Sequence, residues 1–166
     1  MLKPWQLFPM LAPMPIFKEL TTTLTPLMYL IDTNVIGEIR KGGKANSGVR
    51  QFLNAAITHN TPLYVSSITI GELRRGVDLI FHRGDSIQGK LLENWLIAIL
   101  QQYQDHILVI DSDIALLWGK LRVPDAQHAL DKLIAATALI YDLCVVTRNV
   151  KDFEHTGVRL LNPFID

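Results

Sequence analysis

The stretch from residue 28 to residue 40, "MYLIDTNVIGEIR", contains an abrupt change of polarity. Its first four residues are apolar or aromatic, as in a buried β-strand, and Asp32-Thr33-Asn34 follow at once. One interpretation is local: Asp or Asn at such a point accepts backbone N–H bonds and caps a turn or the next helix. The presence of both Asp32 and Asn34 favours a functional site, because one turn does not need both side chains.

Similar apolar runs alternate with helical patterns along the rest of the chain. The predicted strands are 28–31, 63–66, 107–110, 144–147 and 158–161. The main runs are apolar on both faces, which is typical of strands inside a parallel sheet. The predicted helices are 34–40, 48–58, 67–79, 85–103, 112–121 and 129–141. This alternation predicts a three-layer α/β/α fold around a central, mainly parallel sheet of four to five strands.

The composition indicates one compact domain without a general attraction for polyanions. The chain has 166 residues, of which 49% are hydrophobic, and its 16 basic and 16 acidic side chains cancel. A nucleic-acid partner would therefore be attracted by a local patch or through a bound cation. The single cysteine, Cys144, cannot form an internal disulfide, and we expect a buried, inert thiol in a reducing compartment.

The first 27 residues differ from the rest, since they hold five of the eight prolines and cannot form a long helix. They resemble a signal peptide poorly, because prolines interrupt the apolar stretch and no small-x-small site precedes Met28. No uninterrupted apolar run reaches the roughly 18–20 residues of a membrane span. We expect 1–27 to be a loosely ordered extension without a part in the chemistry, or residues translated from an upstream start, and 28–166 to form the domain.

Each predicted strand turns polar at its carboxyl end. Asp32-Thr33-Asn34 follow the first, Ser66-Ser67 the second, Asp111 the third and Thr147-Arg148-Asn149 the fourth. Ligands of open parallel sheets bind at this edge. We therefore expect these side chains along one rim, with the order of the strands left open.

Three further acids near this rim are candidate site residues, and each has a structural alternative. Glu72 fits a capping box that begins at Thr69. Asp131 heads the apolar helix 129–141, where the helix dipole alone favours an acid by about 0.3–1 kcal/mol. Asp152 follows Asn149 by three residues and could belong to an N-cap pair. Each alternative explains one acid, but together they do not explain why all four acids lie near the same rim.

Carboxylates that converge on one rim repel and raise one another's pKa values unless a cation neutralises them. Oxygen ligands without cysteine or paired histidine suit Mg²⁺ or Mn²⁺. Such an ion activates water and holds a phosphodiester for in-line attack. The histidines lack H-x-x-x-H spacing and are interpreted as surface residues: His59, His82, His106, His128 and His155. The sequence contains no G-x-x-x-x-G-K-[ST], G-x-G-x-x-G or G-x-S-x-G motif.

Four blocks, in order and with their spacing, resemble the PIN domain of VapC-type toxins, particularly the plasmid-stability subgroup. They are "MYLIDTNVIGEIRKG" (28–42), "SSITIGELRRGV" (66–77), "DKLIAATALIYDLCVVTRNVKDF" (131–153) and "VRLLNPF" (158–164). The resemblance implies a cytoplasmic Mg²⁺-dependent endoribonuclease, the toxin of a toxin–antitoxin pair. It also implies a homodimer and silencing by a small antitoxin protein.

Carried over by position, the resemblance implies that Asp32 and Asp131 bind Mg²⁺ directly. Glu72 would bind or orient the metal or its water, and Asp152 would act through a water or a second metal. Supporting positions are Asn34, Thr147 and Asn149. The expected RNA phosphate contacts, for which a solvated surface is the alternative, are Arg40, Lys41, Arg74, Arg75 and Arg148.

The chain departs from this family pattern in two places. One is the extension 1–27. The other is Lys132, which stands where a small or apolar residue is more frequent, and which we expect to point away from the face of Asp131.

Two rival hypotheses remain at this level. A phosphoacceptor receiver domain could use Asp111, but it requires an acidic pair after the first strand and a lysine after the fifth, which are missing. A degenerate PIN domain that only binds a partner or RNA is the second rival, and the presence of all four acids argues against it. Helix 85–103 carries a broad apolar stripe that could pack on the sheet or against a second copy.

Overall fold

The computed structural model describes residues 28–165, so the extension 1–27 lies outside the described residues. The strands are β1 Tyr29–Ile31, β2 Leu63–Ser66, β3 Ile107–Leu108, β4 Cys144–Val146 and β5 Arg159–Leu161. The helices are α1 Thr33–Ile39, α2 Ser47–Thr58, α3 Ser67–His82, α4 Ser86–Gln102, α5 Ser112–Leu121 and α6 Ala129–Ile140. Short 3₁₀ turns occupy Gly42–Lys44, Gln104–His106 and Val150–Phe153.

The five strands form one sheet in the order β3-β2-β1-β4-β5. All four pairings are parallel, and Leu30 in β1 lies opposite Tyr64 on one side and Val145 on the other. The chain adds β2 and β3 on one side of β1, and β4 and β5 on the other. The topological switch point, where open α/β sheets bind ligands, therefore lies between β1 and β4.

Helices cover both faces of the sheet, which confirms the predicted three-layer α/β/α fold. Successive residues of β1 point to opposite faces. Ile31 packs in a core with residues of α1, α2, α3 and α4, whereas Leu30 packs with α6. Helix α6 packs in turn against α5 through Ile114, Leu133 and Ala136. Because α6 lies between the sheet and α5, its residues from Lys132 to Ala138 are all buried.

Most predicted elements are confirmed with shifts of one to three residues at their ends, but the strand predicted at 107–110 is too long. Only Ile107 and Leu108 pair with β2, and Val109 is 64% exposed. β3 is an edge strand with one neighbour, and edge strands are often very short, so the apolar run 107–110 overstates the length of the hydrogen-bonded ladder.

Helix α4 packs its apolar stripe inside the domain, since Leu96, Ile99 and Tyr103 belong to the core beneath α3. Cys144 is 4% exposed, and burial raises the pKa of its thiol, as expected for an inert cysteine. No helix among the described residues is long and apolar enough to span a membrane.

Candidate metal centre

Asp32 joins the carboxyl ends of the neighbouring strands β1 and β4. It is 4% exposed, and its Oδ1 accepts a hydrogen bond from the Thr33 amide at 2.6 Å. Its Oδ2 accepts from Asn34 Nδ2 and from the Thr147 hydroxyl, both at 2.7 Å. Burial raises the pKa of Asp32, and these hydrogen bonds oppose the rise. Asp32 therefore caps α1, as the local interpretation proposed, and also ties β1 to the segment after β4.

Asn34 and Asn149 fix the same junction from two sides. The Asn34 side chain donates to Thr147 Oγ1 at 3.1 Å and accepts from the Arg148 amide at 3.1 Å. The Asn149 amide donates to Thr147 Oγ1 at 3.0 Å. Asn34 and Thr147 thus contact the carboxylate directly, whereas Asn149 orients the threonine through its backbone.

Glu72 is connected to the end of β1 by a hydrogen bond. The Thr33 hydroxyl donates to Glu72 Oε2 at 2.6 Å. The capping-box alternative is wrong, because the N-cap of α3 is Ser66, whose hydroxyl accepts from the Ile68 amide, and Thr69 lies within the helix. The carboxylate of Glu72 consequently points to the loop that holds Asp32.

The pKa of Asp131 is raised by burial and by the neighbouring acids. Its pKa rises from 3.8 to about 6, first because of burial and then because of the charges of Asp32, Asp152 and Glu72. A rise of this size corresponds to roughly 3 kcal/mol against the charged form. The helix dipole would favour that form by only about 0.3–1 kcal/mol, so a simple first-turn acid does not explain the position.

Asp152 lies in the 3₁₀ turn Val150–Phe153, and the Asn149 side chain does not cap that turn. Its Oδ1 is 3.4 Å from Nδ1 of His128, and the same nitrogen is 3.9 Å from Asp131 Oδ2. These three residues each offer one ligand atom, and the three atoms lie within 4.8 Å of one another. His128 is exposed, as the sequence suggested, but sequence analysis missed its place beside two of the acids. Its spacing, three residues before the acid that heads α6, was the available signal.

Asp111, which was predicted at the rim, and Lys132, which departs from the family pattern, both stand apart from this group. Asp111 is exposed and caps α5 by accepting from the Ile114 amide at 3.0 Å. Lys132 is buried, and its ammonium binds the backbone oxygen of Asp125 at 2.5 Å and Asp125 Oδ2 at 3.2 Å. The lysine therefore turns away from Asp131, as expected.

Arg148 is the candidate RNA contact that shares a surface depression with Asp152. Its guanidinium stacks 4.0 Å from the centre of the Phe164 ring and is 3.6 Å from Glu38 Oε1. With Lys151 and Asp152 it lines an open depression of about 450 Å³, which also includes Asn149, Val150 and Asn162.

The other four cationic candidates lie directly after α1 or on α3. Arg40 is 5.9 Å from the Trp95 ring and borders a groove of about 290 Å³ that reaches Thr33 and Glu72. Arg75 is exposed. Lys41 binds Glu38, a 3%-exposed acid that sequence analysis did not single out, and Arg74 pairs with Asp78 and with Glu93 at 3.3 Å.

The donor set fits a divalent cation. Four carboxylates and one imidazole lie near the first turn of α6, and the charges of Asp32, Asp152 and Glu72 add to the effect of burial in raising the pKa of Asp131. A bound cation would favour the charged form of Asp131 and neutralise the repulsion between the carboxylates. Oxygen-rich sites of this kind suit Mg²⁺ and Mn²⁺, with the imidazole admitting other transition ions.

The fold and the group of acids agree with a PIN domain. The model of the PIN domain family matches residues 29–158, and the chain belongs to this family. It is 33% identical to Toxin FitB of Neisseria gonorrhoeae over 145 residues, which cover 84% of this chain and all of that protein. It is 29% identical to VapC ribonuclease Y4jK of Sinorhizobium fredii, covering 82% and 98% of the two chains. Among solved structures, FitAcB from Neisseria gonorrhoeae matches with a TM-score of 0.70 and 33% identity, over 82% of this chain and 98% of that one. Family membership excludes the receiver-domain hypothesis.

Proposed function

We propose that this protein is a Mg²⁺-dependent endoribonuclease and the toxin of a type II toxin–antitoxin pair. The observation that carries the proposal is the convergence of Asp32, Glu72 and Asp152 on Asp131 beside the switch point of the sheet. Two relatives, Toxin FitB and VapC ribonuclease Y4jK, support the same activity.

Asp32 and Asp131 would hold the metal directly. Hydrogen bonds to both oxygens of Asp32 fix its orientation before any ligand arrives, which lowers the cost of binding. The Thr33 hydroxyl orients Glu72 in the same way, and Glu72 would bind the ion or its water. Asp152 would add charge from the opposite side, through a water or a second metal. The ion, when bound, supplies activation of water and charge neutralisation at the phosphodiester.

Arg148 and Lys151 would contact RNA phosphate. Both line the depression that includes Asp152, so a strand lying there would bring a phosphodiester to the acids. Arg40 borders the groove beside Glu72 and Arg75 is exposed, which leaves both as further candidate contacts. Lys41 and Arg74 would first have to leave their carboxylate partners.

The partners that we propose are a small antitoxin protein and a second copy of the chain. The similar solved structures are described as FitAcB and as FitAB bound to a DNA fragment. Helix α4 offers Ile87 and Leu91, which are 81% and 61% exposed, as apolar contacts for a protein partner. A toxin of this kind would act in the cytoplasm.

The test is RNA cleavage by the purified full chain with and without Mg²⁺, comparing the wild type with Asp32→Asn. We expect cleavage to need Mg²⁺ and to fall by more than about 100-fold in the variant, since losing even a partner of a ligand costs about 10–100-fold. Asp113→Asn, which changes an exposed acid in the first turn of α5, is the matched control.

Undiminished cleavage by Asp32→Asn would remove this mechanism. A wild-type chain that binds RNA or an antitoxin without cleaving RNA would instead establish the degenerate PIN domain.

A further inference from the structure

We propose that His128 is a metal ligand, which together with Asp131 and Asp152 forms a nitrogen-containing metal position that prefers Mn²⁺ to Mg²⁺. This inference rests on the proposed function, because it assigns a ligand to the same metal centre. It adds to that function a second metal position with a different metal preference. Asp131 would be a ligand of both metal positions.

The separations of the three side chains suit one ion. Nδ1 of His128 is 3.4 Å from Asp152 Oδ1 and 3.9 Å from Asp131 Oδ2. Ligand atoms that each lie about 2.1 Å from one ion are about 3.0 Å apart when they are adjacent in an octahedron and about 4.2 Å apart when they are opposite. The two distances from His128 lie between these values, and the three ligand atoms lie within 4.8 Å of one another. Side-chain shifts of less than about 1 Å would therefore bring all three atoms onto one ion.

The fold holds the imidazole at this place. His128 precedes α6 in the left-handed conformation, with φ of 51°, which few residues other than glycine adopt. Its carbonyl accepts the Lys132 amide at 2.9 Å and begins the helix. The buried Lys132 ammonium anchors the preceding loop through Asp125, and Trp118 Nε1 donates to the Ala129 carbonyl at 2.8 Å. The backbone on both sides of His128 is therefore fixed.

The two ends of the acidic group offer different donors. Asp32 and Glu72 supply oxygen alone, which suits Mg²⁺. On the other side of Asp131, the imidazole of His128 replaces one oxygen by nitrogen. Nitrogen donors favour first-row transition ions over Mg²⁺, with Mn²⁺ the one that also accepts carboxylates readily. The donor atoms thus distinguish a metal position with oxygen ligands alone from a metal position with both nitrogen and oxygen ligands.

The experiment uses the full-length, untagged protein and Mn²⁺ as the probe, with a nitrogen-sensitive pulsed EPR measurement and a Mn²⁺ titration in parallel. We expect the wild type to show imidazole nitrogen coupled to bound Mn²⁺. His128→Asn should lose this coupling, and its Mn²⁺ affinity should fall about tenfold or more while its Mg²⁺ affinity changes much less. Asparagine is chosen because it tolerates the left-handed conformation.

The control is His82→Asn, which changes an exposed histidine at the end of α3 and should keep both the coupling and the affinity. His128→Gly also accepts this backbone conformation and replaces the asparagine variant if that one does not fold. Nitrogen coupling that persists in either His128 variant would overturn the proposal.

Two other results have different meanings. Bound Mn²⁺ without nitrogen coupling in the wild type would make His128 an ion-pair partner of the two acids, overturning this inference while leaving the metal centre intact. A wild type that binds neither Mn²⁺ nor Mg²⁺ would overturn the proposed function as well.

Discussion

Asp131, a proposed metal ligand, opposes folding when it is charged. Its carboxylate is 24% exposed, and burial and three neighbouring acids disfavour its charge. Because its pKa is raised to about 6 in the folded chain from 3.8, the favourable contribution of the protonated form is complete below about pH 4 and is lost as the pH rises through 6. At neutral pH the charged group therefore costs stability, and a cation would remove that cost.

We accordingly predict that Asp131→Asn stabilises the metal-free protein at pH 7.5 by about 1–3 kcal/mol, a range reduced for partial exposure. The gain should shrink as the pH falls from 7 towards 4, where the wild-type carboxyl is protonated. Mg²⁺ should raise the melting temperature of the wild type and leave that of the variant nearly unchanged. Denaturant unfolding and thermal melts at several pH values measure these effects.

Asp113→Asn serves as the control, since it removes another acid from the first turn of a helix, α5, outside the acidic group. It should be neutral or slightly destabilising through the lost dipole interaction. Equal stabilisation by both variants would show that Asp131 has no special electrostatic environment.

At the residue scale, sequence analysis predicted the four acids because each follows or precedes an apolar element at the same edge of the sheet. It could not separate capping from a metal site for Asp32. The structure shows that this carboxylate caps α1 and also accepts from Thr147, so that the cap does not account for all of its contacts. His128 escaped because its place depends on a left-handed backbone and on an anchored loop. The position of His128 three residues before Asp131 was a signal, but it reveals neither the backbone conformation nor the proximity to Asp152.

At the scale of elements, apolar runs and turn residues predicted the helices and strands, since the period of the pattern is local information. The order of the strands was not predictable in the same way, because it depends on which crossovers pack together. That order explains why Asp111 lies apart: it follows β3, an edge strand, whereas Asp32 and Thr147 follow the neighbouring strands β1 and β4. The order of the strands in the sheet therefore decides which strand ends lie beside the acidic group.

The packing of the chain's end on α2 gives a prediction at this scale. A Cβ at Gly48 would lie 2.0 Å from the Pro163 carbonyl oxygen and 2.6 Å from Ile165 Cγ1. Gly48→Ala should therefore lower the free energy of unfolding by about 1–3 kcal/mol, as overpacking does.

Gly119→Ala in α5 is the matched substitution, because nothing lies within 4 Å of a Cβ there. It should stabilise the chain by about 0.5–1 kcal/mol through helix propensity. Both values come from denaturant unfolding. A Gly48→Ala variant as stable as Gly119→Ala would show that the segment after β5 does not pack on α2.

At the scale of the whole molecule, the formal charge is zero, so attraction for RNA must depend on where the charges lie. Arg148 and Lys151 lie at the depression beside the acids, at the carboxyl edge of the sheet. Arg159 begins β5 at the opposite edge, paired with Asp142 at 2.7 Å. Comparing Arg148 with Arg159 therefore distinguishes a local phosphate contact from a general effect of positive charge.

We predict that Arg148→Ala weakens RNA binding by up to about tenfold and lowers the salt dependence of binding by about one ion, as expected for a lost phosphate contact. Arg159→Ala should leave both unchanged. Binding is measured on the Asp32→Asn background, at several salt concentrations, so that cleavage does not interfere. Equal effects of the two substitutions would remove Arg148 from the proposed RNA path.

The central claim is that metal-activated water cleaves RNA at this acidic group, and the most direct test is an analysis of the ends of the RNA fragments produced with and without Mg²⁺. We expect Mg²⁺-dependent fragments that carry a linear phosphate monoester, since water is the nucleophile. Fragments that end in a 2′,3′-cyclic phosphate, or equal cleavage after Mg²⁺ is removed by a chelator, would contradict it.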